Sequence, residues 1–373
     1  MIDILLKLGA FQSILLAVLL FRKKTNNKAN LVLAALVFLF GISCLFYSFN
    51  NIETFLQLPH LIRLDWGLPL LFGPLIYIYT LSLVYKKKRA ESCYPHFIPY
   101  LINLVILAPF FIKSSEEKIQ ILDYFTASIT SGTDYYSYYG FVLRLAISGI
   151  SLYYAFKSLR IINVYKNNSL HEYSNTDKIK LKWLQFVMYS FMLLSILFIV
   201  VSIFTFGDRY PQFDYNVYYF LFIFILIYIL SYKTLSQPEL INFNFDFKTS
   251  SETKVVKEIF ETTEQARNLQ VYMIDEKPYL SGELTATALA KSLNLSRHQL
   301  SNILNKQLGK NFYDYINELR AEEFKRRITL KENQNLTLLA IAFDSGFNSK
   351  TTFNTIFKKI TGLTPSQYKK SIK

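Results

Sequence analysis

Seven apolar runs recur along the first two thirds of the chain, and each is about 16 to 25 residues long. A helix of that length crosses roughly 30 Å of hydrocarbon. A single run could be a buried core helix of a soluble protein, but seven in succession predict a membrane domain. The runs are Ile4–Phe21, Leu31–Phe49, Leu61–Tyr85, His96–Ile112, Tyr138–Phe156, Trp183–Phe206 and Val217–Tyr232.

The basic residues between the runs predict how these helices are oriented. The first, third and fifth loops carry 14 Lys and Arg residues, whereas the second, fourth and sixth carry four when Arg63, at the start of the third run, is counted with them. Because basic loops stay in the cytoplasm, we expect a multi-pass protein of the bacterial inner membrane, with its N-terminus outside and its C-terminus in the cytoplasm. The first run has almost no basic flank and no small-residue cleavage site, so we expect an uncleaved helix.

Three ionisable residues within the apolar runs, Arg63, Asp65 and Arg144, are candidates for sensing a signal. The alternative, which we favour, is that these side chains reach the nearby outer interface. The runs hold no paired carboxylates and no Ser/His or His/Asp set, so the sequence does not predict an enzyme. Cys44 and Cys93 lack metal or redox spacing, and we therefore expect no metal and no cofactor.

The composition becomes polar after Lys233, and a new periodicity begins. Apolar residues recur at helical spacing over Glu252–Met273, which predicts an amphipathic helix after a polar tether. This helix either extends the core of the domain that follows, which we favour, or pairs two protomers.

The last ninety residues contain an internal repeat of two helix-turn-helix units, 285–309 and 337–362. Between them, Phe312–Thr329 is predicted to form one long connecting helix. Residues that start or end helices occupy matching places in both units, and the serines that begin the second helices are 53 residues apart. The matching pairs are Thr285 and Thr337, Ser296 and Ser349, and Gly309 and Gly362.

The second helix of each unit presents a polar face without an acidic residue. From Thr285 onward the chain has 15 Lys and Arg against six Asp and Glu, a net charge of +9. Such side chains read base edges or bind phosphates. The predicted DNA-binding residues are Arg297, His298, Gln299, Ser301, Asn302 and Lys306 in the first unit and Ser349, Lys350, Thr351, Thr352, Asn354, Thr355 and Lys358 in the second, with Asn305 and Lys359 beside them.

A long pattern covers the second unit. It reads Ala342-x-x-x-Gly346-Phe347-x-Ser349, then Phe353-x-x-x-Phe357-Lys358-x-x-x-Gly362-x-x-Pro365-x-x-Tyr368, and the first unit contributes Leu289-Ala290 and Tyr315-Ile316-Asn317-x-x-Arg320. With these residues, the stretch from Glu276 to Lys370 resembles the DNA-binding domain of the AraC/XylS family. Phe324 and Arg327 in the connecting helix depart from the residues usual in that family.

The resemblance implies that both second helices enter the major groove of double-stranded DNA, in successive grooves about 10 bp apart. The connecting helix would hold this spacing. Family members act as activators more often than as repressors, and RNA polymerase is an expected partner. Most members carry a soluble sensor domain, so the resemblance implies nothing about what these seven helices sense.

The sequence therefore predicts an all-α chain: a seven-helix transmembrane domain (1–235), a linker and amphipathic helix (236–275), and an AraC-type DNA-binding domain (276–373). The predicted function is a membrane-embedded transcription regulator that responds to a membrane or extracellular signal, passed through Leu235–Met273, with a homodimer left open. The alternative is a seven-helix receptor or transporter whose C-terminal tail is a protein-interaction module.

Overall fold

The computed structural model of the protein describes residues 2–24, 27–49, 51–85, 94–131, 135–175, 181–204, 215–236 and 257–372. Within these ranges the regular structure is helical, and extended backbone pairs only at one isolated antiparallel bridge, between Tyr173 and Thr285. The predicted all-α class is confirmed.

The chain divides into two compact units. The first contains Met1–Asn163 and Leu181–Phe245, and the second contains Val164–Lys180 and Asp246–Lys373. The second unit therefore includes a segment that lies, in sequence, between two apolar helices. The predicted boundaries of the C-terminal domain did not include this segment.

The helices of the first unit are mostly long and apolar. They are α1 (Ile2–Arg22), α2 (Asn27–Ser48), α3 (Ile52–Gln57), α4 (Phe72–Val84), α5 (Ile98–Phe111), α6 (Ser115–Ser131), α7 (Tyr135–Leu170), α8 (Lys182–Phe204) and α9 (Tyr215–Ser236). Helix α2 packs against α1 and α4, and α9 packs against α8 and α1. Helix α7 continues past Asn163 into the second unit.

Six helices among the described residues are long and apolar enough to cross a membrane: Ile4–Arg22, Lys28–Ser48, Tyr94–Phe111, Tyr138–Leu170, Lys182–Phe204 and Tyr219–Ser236. The third predicted run is different, because only Leu68–Val84 forms a continuous apolar helix there. Its first part contains 3₁₀ turns, and Gly67 adopts a left-handed φ of 92°. The number of spans remains a prediction.

Two of the predicted loops contain helix. Helix α7 runs well beyond the fifth apolar run, so that Lys157, Arg160 and Lys166 lie on it and not in a loop. Lys and Arg are good helix formers, and nothing after Phe156 interrupts the helix until Leu170. The longest outer loop contains α6, whose first turn carries two glutamates.

The helices of the second unit are shorter. They are α10 (Lys257–Asp275), α11 (Ala286–Ser292), α12 (Arg297–Asn302), α13 (Phe312–Ile328), α14 (Leu338–Asp344), α15 (Lys350–Thr361) and α16 (Pro365–Ser371). A π-helical turn, Ile303–Gln307, extends α12. Gly309 and Gly362 adopt left-handed φ angles of 63° and 74°, as expected for residues that end helices.

Two apolar clusters form the core of this unit, and α13 contributes to both. The first cluster joins α10, α11, α12 and the start of α13, with Leu269 and Met273 of α10 buried in it. The second joins the end of α13 to α14 and α15. Each pair α11/α12 and α14/α15 thus has its own core, and one continuous helix connects the two.

Arg320 of α13 is buried where several backbone segments meet. Its Nε donates to the carbonyl oxygen of Tyr279 at 2.8 Å, and its Nη2 donates to that of Ser281 at 2.8 Å. Burial lowers the Arg320 pKa to about 10, so the side chain stays charged at neutral pH. Gly346 packs against the same carbonyl: a Cβ there would lie 2.3 Å from the Tyr279 oxygen.

The two residues of α13 that depart from the family pattern are both accommodated. Phe324 is fully buried, with its ring centroid 4.7 Å from that of Phe353 and 5.1 Å from that of Phe357. Arg327 donates to Glu323 at 2.7 Å, one turn earlier on the same helix.

Candidate nucleic-acid interface

Serine residues define the first turns of α12 and α15. The Ser296 hydroxyl accepts from the backbone N–H of Gln299, and the Gln299 side chain accepts in return from the Ser296 N–H at 2.8 Å. The Ser349 hydroxyl accepts from the N–H of Thr352 at 3.1 Å. These caps satisfy backbone donors that helix starts leave unpaired, and they place Arg297 and Lys350 at the first position of each helix.

The apolar side of α12 is buried and its polar side is exposed. Leu300, Ile303 and Leu304 lie in the first cluster. Of the predicted DNA-binding residues in this unit, Ser301 and Asn302 are half-buried, and the exposed ones are Arg297, His298, Gln299 and Lys306.

Helix α15 has the same arrangement, with one difference from the predicted face. Phe353, Ile356 and Phe357 are buried in the second cluster. Thr352, expected on the polar face, is only 5% exposed. Ser349 is half-buried at the cap, and the exposed residues are Lys350, Thr351, Asn354, Thr355 and Lys358.

Hydrogen bonds order part of the first polar face. Asn302 pairs with His298 through its Nδ2 and the ring Nδ1, 3.3 Å apart. Asn305 donates to the Ser301 hydroxyl at 3.0 Å. Side chains held in this way lose less conformational freedom when they bind a ligand.

A shallow open groove follows the exposed side of α15. Asn354, Thr355 and Lys358 line it on one side, and residues 364–366 at the start of α16 line it on the other. Lys359, also at the groove, donates to Asp314 of α13 at 2.9 Å. The groove places lysine and amide groups along one open surface.

Arg297 has a carboxylate partner that no local sequence pattern predicts. Its Nε donates to Glu172, which is 9% exposed and belongs to the Val164–Lys180 segment of the same unit. The two residues are 125 positions apart. Periodicity and capping signals report only local structure, so they could not have predicted this pair.

The candidate sensing residues lie before α4 and on α7. Arg63 is 9% exposed and has a left-handed φ of 65°; its guanidinium lies over the rings of Trp66 and Phe110, at 4.7 and 4.5 Å. Asp65 is half-buried two residues away, and Arg144 is half-buried on α7. Sequence reasoning did not predict the two aromatic rings that the Arg63 guanidinium contacts.

Sequence reasoning missed a second buried cation near Arg63. Lys118 of α6 is 2% exposed, and its Nζ donates to His60 Nδ1 at 2.8 Å and to the Phe111 carbonyl at 3.0 Å. It also lies 5.6 Å from the Phe110 ring that Arg63 contacts. Its position in a polar loop segment gave no signal of burial.

Comparison with known proteins identifies the type of domain to which α12 and α15 belong. Residues 289–371 match a family model described as a helix-turn-helix domain. The match identifies a helix-turn-helix domain in the C-terminal part of the chain. The match begins within α11 and ends within α16, so it includes both α12 and α15.

Several proteins named as transcription regulators are similar to part of the chain. The Msm operon regulatory protein of Streptococcus mutans is 35% identical over 103 residues, and the raffinose operon transcriptional regulatory protein RafR of Pediococcus pentosaceus is 33% identical over 111. The uncharacterized HTH-type transcriptional regulator YobQ of Bacillus subtilis is 33% identical over 94. The matches cover 28%, 30% and 25% of this chain and only 36%, 38% and 38% of those proteins. The chain thus spans less than two fifths of the length of these relatives.

Proposed function

We propose that this protein is a membrane-embedded, sequence-specific DNA-binding transcription regulator. The observation that carries the proposal is the pair of exposed, non-acidic faces on α12 and α15, within a helix-turn-helix domain on the same chain as six apolar helices of membrane-spanning length.

The surface of the apolar helices supports the membrane part of the proposal. Large apolar side chains are widely exposed on them, including Phe11 at 68%, Val105 at 73% and Phe204 at 78%. Soluble proteins rarely expose apolar patches of this extent, whereas lipid tails solvate such side chains. Together with Leu68–Val84 as a seventh span, the helices would leave the C-terminal domain in the cytoplasm, where the basic loops also lie.

The arrangement of the C-terminal unit supports two-site DNA recognition. Helices α12 and α15 are the second helices of their pairs, the position that enters the major groove in helix-turn-helix proteins. Arg297 and Lys350 stand at the N-terminal ends of these helices, where contacts to base edges are made. Helix α13 packs into both cores, so it would fix the distance between the two helices on DNA.

The remaining parts of the proposal concern regulation. A signal in the membrane or outside the cell alters the packing of the apolar helices, with Arg63, Asp65 and Arg144 as the sensing candidates. The DNA-bound protein activates transcription by contacting RNA polymerase, and a homodimer would double the number of bound grooves.

Chromatin immunoprecipitation of the tagged full-length protein from the membrane fraction tests the proposal. We expect discrete peaks that share two short half-sites about one helical turn apart. Lys350→Ala should weaken binding by about 1–3 kcal/mol if Lys350 reads a base, and Arg297→Ala removes the corresponding group of α12. Lys331→Ala, which removes the same charge from an exposed turn outside both faces, is the control. Peaks unchanged by both Ala variants would favour an interaction module.

A further inference from the structure

The Val164–Lys180 segment is docked on the first helix pair of the DNA-binding unit. Tyr173 forms a β-bridge with Thr285, and the N–H of Ala286 donates to the carbonyl of Glu172 at 2.8 Å. We call residues 171–174 the docking strand. It pairs with the backbone at the start of α11, where the N–H groups of a helix have no partners within the helix.

Polar side chains fix the docking strand at both of its ends. Ser174 is fully buried, and its hydroxyl donates to the Leu284 carbonyl at 2.8 Å. The Ser174 carbonyl accepts from Asn317 at 3.0 Å and from Arg320 at 3.2 Å, both on α13. At the other end, His171 lines a small crevice with Arg297 and Ser301, and burial together with the Arg297 charge lowers the His171 pKa.

Glu172 contacts Arg297, one of the proposed DNA-binding residues. One carboxylate oxygen accepts from the Thr287 hydroxyl at 2.6 Å and from the Thr287 N–H at 3.2 Å, and the other accepts from Arg297. The carboxylate therefore holds the first residue of α12, the one placed to read DNA, and brings a negative charge to a face that is otherwise free of acidic residues. A carboxylate at this position repels phosphates and occupies the Nε donor of Arg297.

We propose that the docking strand is an autoinhibitory element, and that DNA and the docking strand compete for Arg297 and the start of α11. The inference rests on the proposed function. Helix α7, a candidate membrane span, leads within one residue to His171. A change in that helix therefore reaches Glu172 along the chain and Arg297 through the ion pair. This path is separate from the Leu235–Met273 tether.

Competition requires reciprocity, because two ligands that exclude one another weaken each other's binding equally. Removing the Glu172 charge should increase DNA affinity, and bound DNA should expose the docking strand. Both effects can be measured on the full-length protein in phospholipid nanodiscs, with a DNA duplex selected from a random-sequence pool as the probe.

The first measurement compares the affinities of wild type, Glu172→Gln and Glu264→Gln for that duplex. Glu264 is exposed on α10, so its substitution changes the net charge equally without touching the docking strand. We expect Glu172→Gln to bind roughly three- to tenfold more tightly than wild type, because the strand then holds Arg297 less often. Glu264→Gln should stay within about twofold of wild type.

The second measurement follows maleimide labelling of Ser174→Cys, with Cys44 and Cys93 replaced by Ser. Ser174 is buried while the strand is docked, so labelling should be slow without DNA and at least several-fold faster with saturating duplex. Ser345→Cys is the control, because Ser345 is equally buried in the same unit but does not contact the strand. Its labelling should not respond to DNA.

The outcomes separate this inference from the proposed function. If Glu172→Gln binds DNA no better than wild type, or binds it less well, the strand is a structural part of the DNA-binding fold and the autoinhibition is refuted. Equal rates of Ser174→Cys labelling with and without DNA also refute the autoinhibition. If neither wild type nor Glu172→Gln binds any selected duplex, the proposed function fails, and the inference fails with it.

Discussion

At the residue scale, the C-terminal unit depends on a few buried charges, each with several partners. Glu323 of α13 has a side chain only 3% exposed, and it accepts from Arg326 and Arg327 while Lys277 lies 3.6 Å away. The hydrogen bonds from Arg326 contribute most to a Glu323 pKa lowered to about 2. One carboxylate thus joins the end of α13 to the turn before Pro278.

Glu323→Gln should lower the free energy of unfolding of the second unit by about 1–3 kcal/mol at neutral pH, because three cations lose their anion. A carboxyl with a depressed pKa stabilises the fold above its unfolded value near 4.5 and loses that effect as the pH falls toward 2. The difference between variant and wild type should therefore shrink between pH 4.5 and 2. Hydrogen exchange of α13 amides in the full-length protein measures it.

Glu322→Gln provides the matched control for this prediction. Glu322 is the preceding residue, and it pairs with Lys325 at an exposed position. Exposed pairs contribute little, so we expect a change of less than about 0.5 kcal/mol. Equal decreases in the free energy of unfolding from the two substitutions would show that the buried network around Glu323 stabilises the unit no more than an exposed ion pair does.

At the element scale, the local features of the sequence predicted helices well and their partners poorly. The caps at Ser296 and Ser349 and the left-handed glycines were predicted from residue type, because capping depends on neighbouring atoms only. Burial of Thr352 was missed, since it lies at the edge of the buried stripe of α15. The docking of residues 171–174 was missed because it joins positions more than 100 residues apart, and no periodicity records such a contact.

Helix α13 connects two separate clusters, so its core residues should act on different helix pairs. Phe324→Ala should lower the free energy of unfolding of the second unit by about 3–5 kcal/mol, because it removes a fully buried ring that contacts Phe353 and Phe357. The loss should appear first as faster hydrogen exchange in α14 and α15. Protection in α11 should change less, since Phe324 does not belong to its cluster.

Ile316→Ala is the reciprocal variant, because Ile316 is fully buried in the first cluster of the same helix. Its substitution should increase hydrogen exchange first in α11 and α12. If both variants open all four helices equally, the two clusters unfold as one cooperative unit and the division into two cores has no energetic meaning.

At the scale of the whole molecule, composition predicts the two parts of the chain more reliably than it predicts the number of membrane-spanning helices. The apolar runs and the basic C-terminal domain predicted two parts, because half of the residues are apolar while the net charge is +14. The number of spans is harder to predict, because only part of the third run is a continuous helix. That part, Leu68–Val84, has 17 residues. Length alone leaves a helix of this size between a span and a buried segment.

The parity of the spans can be measured at the two ends of the chain. Seven spans place the termini on opposite sides of the membrane, whereas six place them on the same side. In a protein with Cys44 and Cys93 replaced by Ser, we expect a membrane-impermeant maleimide to label Asp3→Cys in intact cells and Lys370→Cys only after lysis, since basic loops fix the C-terminus inside. Glu116→Cys on α6 is the control for an outer position. If intact cells leave both Asp3→Cys and Lys370→Cys unlabelled, the chain has an even number of spans, and Leu68–Val84 packs within the bundle without crossing it.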